Sequence, residues 1–149
     1  MLTRICRSLM TLNSDMSNFN YLLDTNILSD LIRHPAGAVA ERIAEVGESL
    51  ICTSIIVSCE LRLGAAKKGS PALSARVDQI LNTIEVLPLS DGVDQHYAGL
   101  RNSLEKNGTL ISPNDLLIAA HALELGFTVV TCNAREFLRL AGLSVENWL

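Results

Sequence analysis

Short apolar runs alternate along the chain with longer stretches in which apolar residues recur at helical spacing. The runs that favour β-strands are residues 20–23, 49–52, 83–87 and 127–131. The helical stretches are residues 27–33, 38–46, 71–81, 91–106, 113–125 and 134–140, with one more helix after residue 54. Strands that alternate with helices indicate a parallel sheet with helices on its faces. We therefore expect one three-layer α/β/α domain with a central parallel sheet over residues 19–149.

Two of these helices begin at residues that can cap them. Ser112 supplies an N-cap for the helix over residues 113–125, and Asp115 stands at its third position. This is the arrangement of a capping box, in which side chains satisfy free backbone N–H groups. The helix that carries Glu60 is capped by either Thr53 or Ser54.

The composition is that of a globular protein. The chain has 149 residues, of which 48% are hydrophobic and 19% are charged. No apolar stretch approaches the roughly 20 residues that a membrane-spanning helix requires, so no membrane partner is expected. The net charge of −4 argues against a broad basic surface for nucleic acid. A nuclease is not excluded, because its metal site is itself acidic.

Cysteines stand at positions 6, 52, 59 and 132, without a C-x-x-C pair or a histidine at ligand spacing. Cys52 and Cys59 lie inside apolar runs. We expect buried, reduced thiols and a cytoplasmic location.

Residues 1–18 are expected to form an N-terminal extension outside the fold. Their apolar positions are too interrupted for the core of about 7–15 residues that a signal peptide requires. Met16 stands five residues before Tyr21. An upstream start codon, or a tail outside the fold, explains the segment better than targeting does.

Three acids interrupt apolar runs that otherwise suit a protein core: Asp24, Glu60 and Asp115. Charged residues are rarely buried unless they are paired or bind a metal. Two carboxylates about 5 Å apart repel by roughly 3 kcal/mol at an effective dielectric constant near 20. A hard divalent cation such as Mg²⁺ or Mn²⁺ removes that conflict and suits phosphoryl chemistry through a metal-activated water. The sequence therefore predicts a shared metal site.

Each acid also has a simpler explanation. Asp24 suits the cap of the following helix, and Asp115 suits the third position of a capping box. Glu60 is flanked by apolar residues at helical spacing, which favours the buried side of its helix. Asn133 follows the strand at residues 127–131, where it either contributes an amide oxygen to the same pocket or starts the next helix.

Other motifs carry less information. Residues 64–70 resemble a phosphate loop but lack its lysine and follow a helix instead of a strand. The basic residues Arg62, Lys67 and Lys68 favour a solvated face, with contact to a phosphate backbone as the alternative. The histidines show no metal spacing, and no serine or cysteine lies in a nucleophile motif.

Five segments in order resemble the PIN-domain family, and within it the VapC toxins of type II toxin–antitoxin systems. The resemblance covers about residues 20–149, and the segments lie at residues 21–26, 59–65, 112–122, 130–137 and 145–148. It implies a Mg²⁺- or Mn²⁺-dependent endoribonuclease, usually a homodimer, with transfer RNA as a frequent target. It also implies inhibition by a VapB-like antitoxin. The toxin would contact operator DNA only indirectly, through that antitoxin.

The same resemblance assigns roles to single residues. Asp24, Glu60 and Asp115 match the acids of the family, and Thr131 matches its hydroxyl position beside the site. The fourth acidic position of many PIN domains falls at Asn133, an amide, which leaves open whether one or two metals bind.

Three other functions are also compatible with the sequence. The first is a PIN-like RNA-processing nuclease that is not a toxin. The second is a phosphatase with an aspartyl nucleophile at Asp24, although Asn26 stands where such enzymes have a second aspartate. The third is a binding or scaffold domain without enzymatic activity.

Overall fold

The computed structural model describes residues 19–149, so the expectation for residues 1–18 lies outside the described residues. The described part of the chain contains one five-stranded sheet in the order β3-β2-β1-β4-β5, and every pairing is parallel. The strands are β1 (Tyr21–Leu23), β2 (Ile51–Ser54), β3 (Glu85–Leu87), β4 (Thr128–Val130) and β5 (Val145–Glu146). Helices flank the sheet, which confirms the predicted α/β architecture.

The helices connect these strands in chain order. They are α1 (Thr25–Arg33), α2 (Ala38–Val46), α3 (Ile55–Lys68), α4 (Pro71–Thr83), α5 (Val93–Lys106), α6 (Pro113–Leu125) and α7 (Ala134–Phe137). None of the described helices is long and apolar enough to cross a membrane.

Strand β1 lies in the middle of the sheet and creates a switch point. Leu22 pairs with Cys52 of β2 on one side and with Val129 of β4 on the other. The chain builds outward from β1 to β3 and then crosses to start again at β4. In open α/β sheets, ligands bind where the order reverses, beyond the carboxyl ends of the strands. In this fold that position lies beyond Leu23 and Val130.

The central strands are buried on both faces, which explains their continuous apolar runs. Leu22, Leu23, Val129 and Val130 are all 0% exposed. Because the strand ends are held inside this core, the polar residues that follow them have a fixed position.

Several predicted boundaries differ from the structure, including the start of the strand predicted at 83–87, which begins at Glu85, and two of these differences have a clear local cause. The segment predicted as a strand at 49–52 begins with a 3₁₀ turn, Glu48–Leu50, and the strand starts at Ile51. The turn is needed because Gly47, at φ 98°, ends α2 and redirects the chain. The helix predicted at 134–140 ends at Phe137, after which i→i−3 bonds such as that from Leu140 N–H to the Phe137 carbonyl continue the turn.

The predicted burial of the cysteines is right for Cys52 and wrong for Cys59 and Cys132, which are exposed, and Cys6 lies outside the described residues. Cys52 is buried, and burial raises the pKa of its thiol to about 12. Cys59 is exposed. On α3 the neighbouring residues Val57, Ser58 and Leu61 face the core. At about 100° per residue, Cys59 is turned away from them.

Candidate active site

Asp24 occupies the switch point at the carboxyl end of β1. Its backbone N–H donates to the carbonyl of Val130 at 2.9 Å, which joins the ends of β1 and β4. One carboxylate oxygen, Oδ1, accepts from the backbone N–H of Thr25 at 2.7 Å, and Oδ2 accepts from Thr131 Oγ1 at 2.8 Å. Asp24 is the N-cap of α1, so its capping role and its place in the site are compatible.

The pKa of Asp24 is raised from its ordinary value, chiefly because the carboxyl group is only 3% exposed. The hydrogen bonds from Thr131 and Thr25 oppose that shift, and the charge of Glu60 adds to it. The carboxylate is therefore held in place by donors but has no positive partner among the described residues.

Thr131 fixes the second oxygen of Asp24. It is 0% exposed, and its hydroxyl donates to Asp24 while accepting from the backbone N–H of Asn133 at 3.0 Å. The two bonds define the direction of the hydroxyl proton. Thr131 is therefore a positioning residue for the carboxylate.

Glu60 approaches the site from α3. It is half-buried, and its Oε1 accepts from Thr25 Oγ1 at 2.7 Å. Thr25 thus contacts two acids, Asp24 through its backbone and Glu60 through its hydroxyl. Sequence reasoning did not single out Thr25, although a hydroxyl directly after Asp24 was a signal that could have identified it.

Asp115 lies in the first turn of α6 and belongs to the same acidic group. Its backbone N–H donates to Ser112 Oγ at 3.2 Å, so the predicted cap is present. Burial, together with the charges of Asp24 and Glu60, raises the pKa of Asp115 to about 6, although a hydrogen bond with Ser112 opposes the shift. The capping explanation and the site explanation both hold for this residue.

Glu136 is a fourth acid near the group, and sequence reasoning missed it. Its charge contributes to the raised pKa of Asp115, and its side chain is half-buried on α7. The acid stands in the first turn of the helix after β4, three positions beyond Asn133. That placement was the available signal.

Asn133 starts the helix after β4, which is one of the two roles predicted for it. It occupies the N-cap position of α7, but its side chain makes no capping hydrogen bond. Its backbone N–H supports Thr131 instead. The structure therefore brings Asn133 beside the site through its main chain.

The acidic group has the donor chemistry of a divalent cation site. Among the described residues, none of its four members (Asp24, Glu60, Asp115 and Glu136) takes part in a salt bridge. Carboxylate oxygens with little competing positive charge suit Mg²⁺ or Mn²⁺. As placed in the described chain, no three of these side chains close around one point. Glu60 is directed to Thr25, so it would have to rotate, or act through water, to contact an ion held by the other acids.

A buried histidine connects the two helices that carry Glu60 and Asp115. His121 of α6 is 0% exposed, and its Nδ1 lies 2.9 Å from Oγ of Ser54, the N-cap of α3. Burial lowers the pKa of His121, an effect that the Pro88 carbonyl opposes. Its other nitrogen, Nε2, has no hydrogen-bond partner of good geometry in the described part of the chain. The neutral ring thus fixes α6 against the start of α3.

Comparison with known proteins extends these observations. The family model of the PIN domain matches residues 21–143. The protein named ribonuclease VapC2 from Rickettsia felis is 37% identical over 130 residues, which cover 86% of this chain and 97% of that protein. The tRNA(fMet)-specific endonuclease VapC of Shigella flexneri is 33% identical over 129 residues, 86% of this chain and 97% of that one.

A solved structure agrees with these similarities. The crystal structure of VapBC2 from Rickettsia felis bound to a DNA fragment from their promoter contains a chain that matches with a TM-score of 0.81 and 34% identity. The match covers 88% of this chain and 100% of that one.

Proposed function

The chain belongs to the PIN-domain family as a VapC-type member, and we propose that it is a divalent-metal-dependent endoribonuclease that acts as a toxin. The observation that carries the proposal is the acidic group at the switch point, in which Asp24, Glu60 and Asp115 lie together without basic partners among the described residues. The ribonuclease names of its relatives support cleavage of RNA.

We propose Asp24, Asp115 and Glu60 as the metal ligands, directly or through water, with Glu136 as the fourth acid. Mg²⁺ is the expected ion, and Mn²⁺ is a substitute. When bound, such an ion polarises a phosphate oxygen and lowers the pKa of a coordinated water. Asp115 loses its proton close to neutral pH, because burial and the neighbouring acids raise its pKa to about 6. The ionised form is the one that binds a cation.

The neighbouring hydroxyl groups position the acids for this role. Thr131 and Thr25 hold the two oxygens of Asp24 in fixed directions. Hydrogen bonds to a carboxylate favour its charged form. They therefore keep Asp24 available as an anion although it is buried.

The partners follow from the same comparisons. The substrate is RNA, and transfer RNA is the first class to test, because one relative is named for tRNA(fMet). We propose a VapB-like antitoxin as the inhibitor and as the link to operator DNA, and the matched VapBC2 structure, which is bound to a DNA fragment from their promoter, supports this. We propose a homodimer in the cytoplasm, where its RNA substrates are. An antitoxin arginine or lysine placed among the acids would neutralise them without activating water.

Family membership favours a nuclease over the aspartyl phosphatase and the inert scaffold. A nuclease that is not a toxin differs only in its partner and its effect on growth. Co-expression of a neighbouring small protein tests this difference. Relief of growth inhibition together with formation of a stable complex supports the toxin, and growth inhibition that the partner leaves unchanged contradicts it.

The activity itself is tested with purified protein, single-stranded RNA and a small phosphate monoester, each with Mg²⁺, Mn²⁺ or EDTA. Metal-dependent cleavage of RNA alone is the expected result. Asp24→Asn should abolish RNA cleavage while the melting temperature of the protein stays unchanged. The matched control is Glu41→Gln, which changes an exposed acid on α2. Undiminished cleavage in EDTA would contradict the metal mechanism, and hydrolysis of only the monoester would contradict the nuclease.

A further inference from the structure

A groove between α1 and α3 starts at the acidic group and extends from there along the two helices. It encloses about 340 Å³, and its lining includes Thr25, Ser29 and Arg33 of α1 and Glu60, Gly64 and Lys68 of α3. Apolar residues such as Leu61, which is 6% exposed, form its base. The groove is therefore continuous with the proposed catalytic site at one end.

The spacing of the lining residues orders the groove from acidic to basic. Thr25, Ser29 and Arg33 are four residues apart, as are Glu60, Gly64 and Lys68, so each set lies along one helix face. The hydrogen bond from Thr25 to Glu60, 2.7 Å long, joins the two faces at the acidic end. Arg33 and Lys68 stand eight positions further on, about 12 Å along each helix axis.

The middle of the groove is open because its side chains are small. A Cβ atom built on Gly64 would meet nothing within 4 Å. Ser29 lies opposite on α1 and contributes only a hydroxymethyl group. An extended polar chain can therefore pass from the acidic end to the basic end without displacing a large side chain.

The two cations of the groove lack carboxylate partners. Elsewhere in the described chain, Arg42, Arg62 and Arg101 each form a salt bridge with an acid. Arg33 donates only to the carbonyl of Ser29 on its own helix, at 3.3 Å, and Lys68 forms no ion pair with the residues that the structure describes. Both side chains are exposed. Their charge is available to an external anion.

We propose that this groove binds the backbone of the RNA substrate, with Arg33 and Lys68 contacting a phosphate that flanks the one being cleaved. The inference rests on the proposed nuclease function. Because Arg33 and Lys68 lie about 12 Å along the helix axes from the acidic end, we expect the two ends of the groove to contact different phosphates. A protein of net charge −4 repels RNA at long range, and local cations beside the site provide the attraction that cleavage requires.

Basic residues at these positions also stabilise the carboxyl ends of their helices. Arg33 lies in the last turn of α1, and Lys67 and Lys68 lie in the last turn of α3. Cations there interact favourably with the helix dipole. Lys67 shares this effect but does not line the groove, which makes it the matched control for Lys68.

The test is cleavage of single-stranded RNA by the full chain with Mg²⁺ at several salt concentrations. The double variant Arg33→Gln/Lys68→Gln should raise KM by about tenfold, with kcat changed by less than about twofold. The slope of log(kcat/KM) against log[salt] should become shallower by about 0.7, because one neutralised phosphate on a single strand is lost. Lys67→Gln should match the wild type in both measurements.

A second variant tests whether RNA passes through the groove, and it leaves the cations of the groove unchanged. Gly64→Gln places a side chain in the open middle of the groove, on a helix position where the added Cβ atom would meet nothing within 4 Å. It should raise KM without reducing the melting temperature. Unchanged KM in this variant and in the double variant would overturn the proposal.

Two further outcomes are distinguished by the same experiments. If the double variant loses affinity for the antitoxin while its KM and salt slope for RNA stay at wild-type values, the groove is an antitoxin surface and the RNA proposal is wrong. If the wild type cleaves no RNA under any metal condition, the proposed function has failed first, and the groove proposal fails with it.

Discussion

Thr25 Oγ1 lies 2.7 Å from Glu60 Oε1 and donates a hydrogen bond to it. The residue immediately after Asp24 therefore holds a second acid of the site. The backbone N–H of Thr25 also donates to Asp24 at 2.7 Å. A single threonine thereby sets the distance between the end of β1 and the middle of α3.

The first prediction concerns this threonine. Thr25→Val keeps the shape of the side chain but removes the hydroxyl, so Glu60 loses its donor while the backbone bond to Asp24 remains. We expect a loss of about 10–100-fold in Mn²⁺ affinity or in cleavage rate, the usual effect of removing a group that orients a ligand. Titration of cleavage with Mn²⁺ measures both. Thr25→Ser keeps the hydroxyl and should stay close to wild type, and equal losses in the two variants would contradict this role.

The second prediction separates the two candidates for the fourth acidic position. Glu136→Gln should reduce cleavage, and it should lower the pKa of Asp115, because one source of repulsion is removed. Asn133→Ala should have little effect, since its contact with Thr131 is made by the backbone N–H. The pH profile of cleavage reports the pKa. A strong loss in Asn133→Ala with a normal Glu136→Gln would reverse the assignment.

The third prediction is a pH dependence of metal binding. Burial and the neighbouring acids raise the pKa of Asp115 from 3.8 to about 6. The stability that the protonated carboxyl contributes is fully present below 3.8 and is lost as pH rises through about 6. A cation competes with the same proton, so the rise in melting temperature caused by Mg²⁺ should be small near about pH 5 and large near about pH 7.

Thermal unfolding with and without Mg²⁺ across this range measures the effect. Asp115→Asn should remove most of its pH dependence, because the amide does not titrate. A Mg²⁺ effect in the wild type that is constant from about pH 5 to pH 7 would show that Asp115 does not bind the ion.

The fourth prediction concerns the buried histidine. His121→Gln should lower the free energy of unfolding at pH 7 by about 1–3 kcal/mol, because the bond to Ser54 and the packing around the ring are disturbed. Burial lowers the pKa of His121 from 6.5, so the unfolded chain takes up the proton first as pH falls. The stability advantage of the wild type over the variant should therefore shrink below about pH 6.5.

Urea unfolding at several pH values measures this advantage. His96→Gln is the control, because His96 is 41% exposed and pairs with Glu124 at the surface. A similar loss of stability in both variants would show that the position of His121 has no special effect.

The sequence predicted most of the fold because its signals are local. The cap at Ser112, the glycine after α6 and the apolar runs of the central strands each act over a few residues. Strand β5 was not predicted, because two residues at the edge of a sheet depend on their neighbour β4 for their conformation. The turn at 48–50 was missed for a related reason: its geometry follows from Gly47 and the direction of the next strand.

The site was predictable where burial and charge conflict within the sequence. Asp24 and Glu60 interrupt apolar runs, and the structure gives both of them hydroxyl partners. Glu136 lies on a short polar helix, where an acid has no conflict with its neighbours along the chain. Its proximity to Asp115 arises only when α7 and α6 are brought together by the sheet. Its place in the first turn of the helix after β4 was a signal, but that place alone does not identify Asp115 as its neighbour.

The four acids are supplied by segments spread from β1 to α7, and this has a consequence during synthesis. Thr131 is anchored by its backbone N–H to the carbonyl of Glu146, 2.9 Å away in β5, so the residue that orients Asp24 depends on the last strand of the sheet. Nearly the whole chain must therefore leave the ribosome before Thr131 can orient the carboxylate of Asp24. On the proposed function, a chain still in synthesis would lack the oriented acid that cleavage of RNA requires.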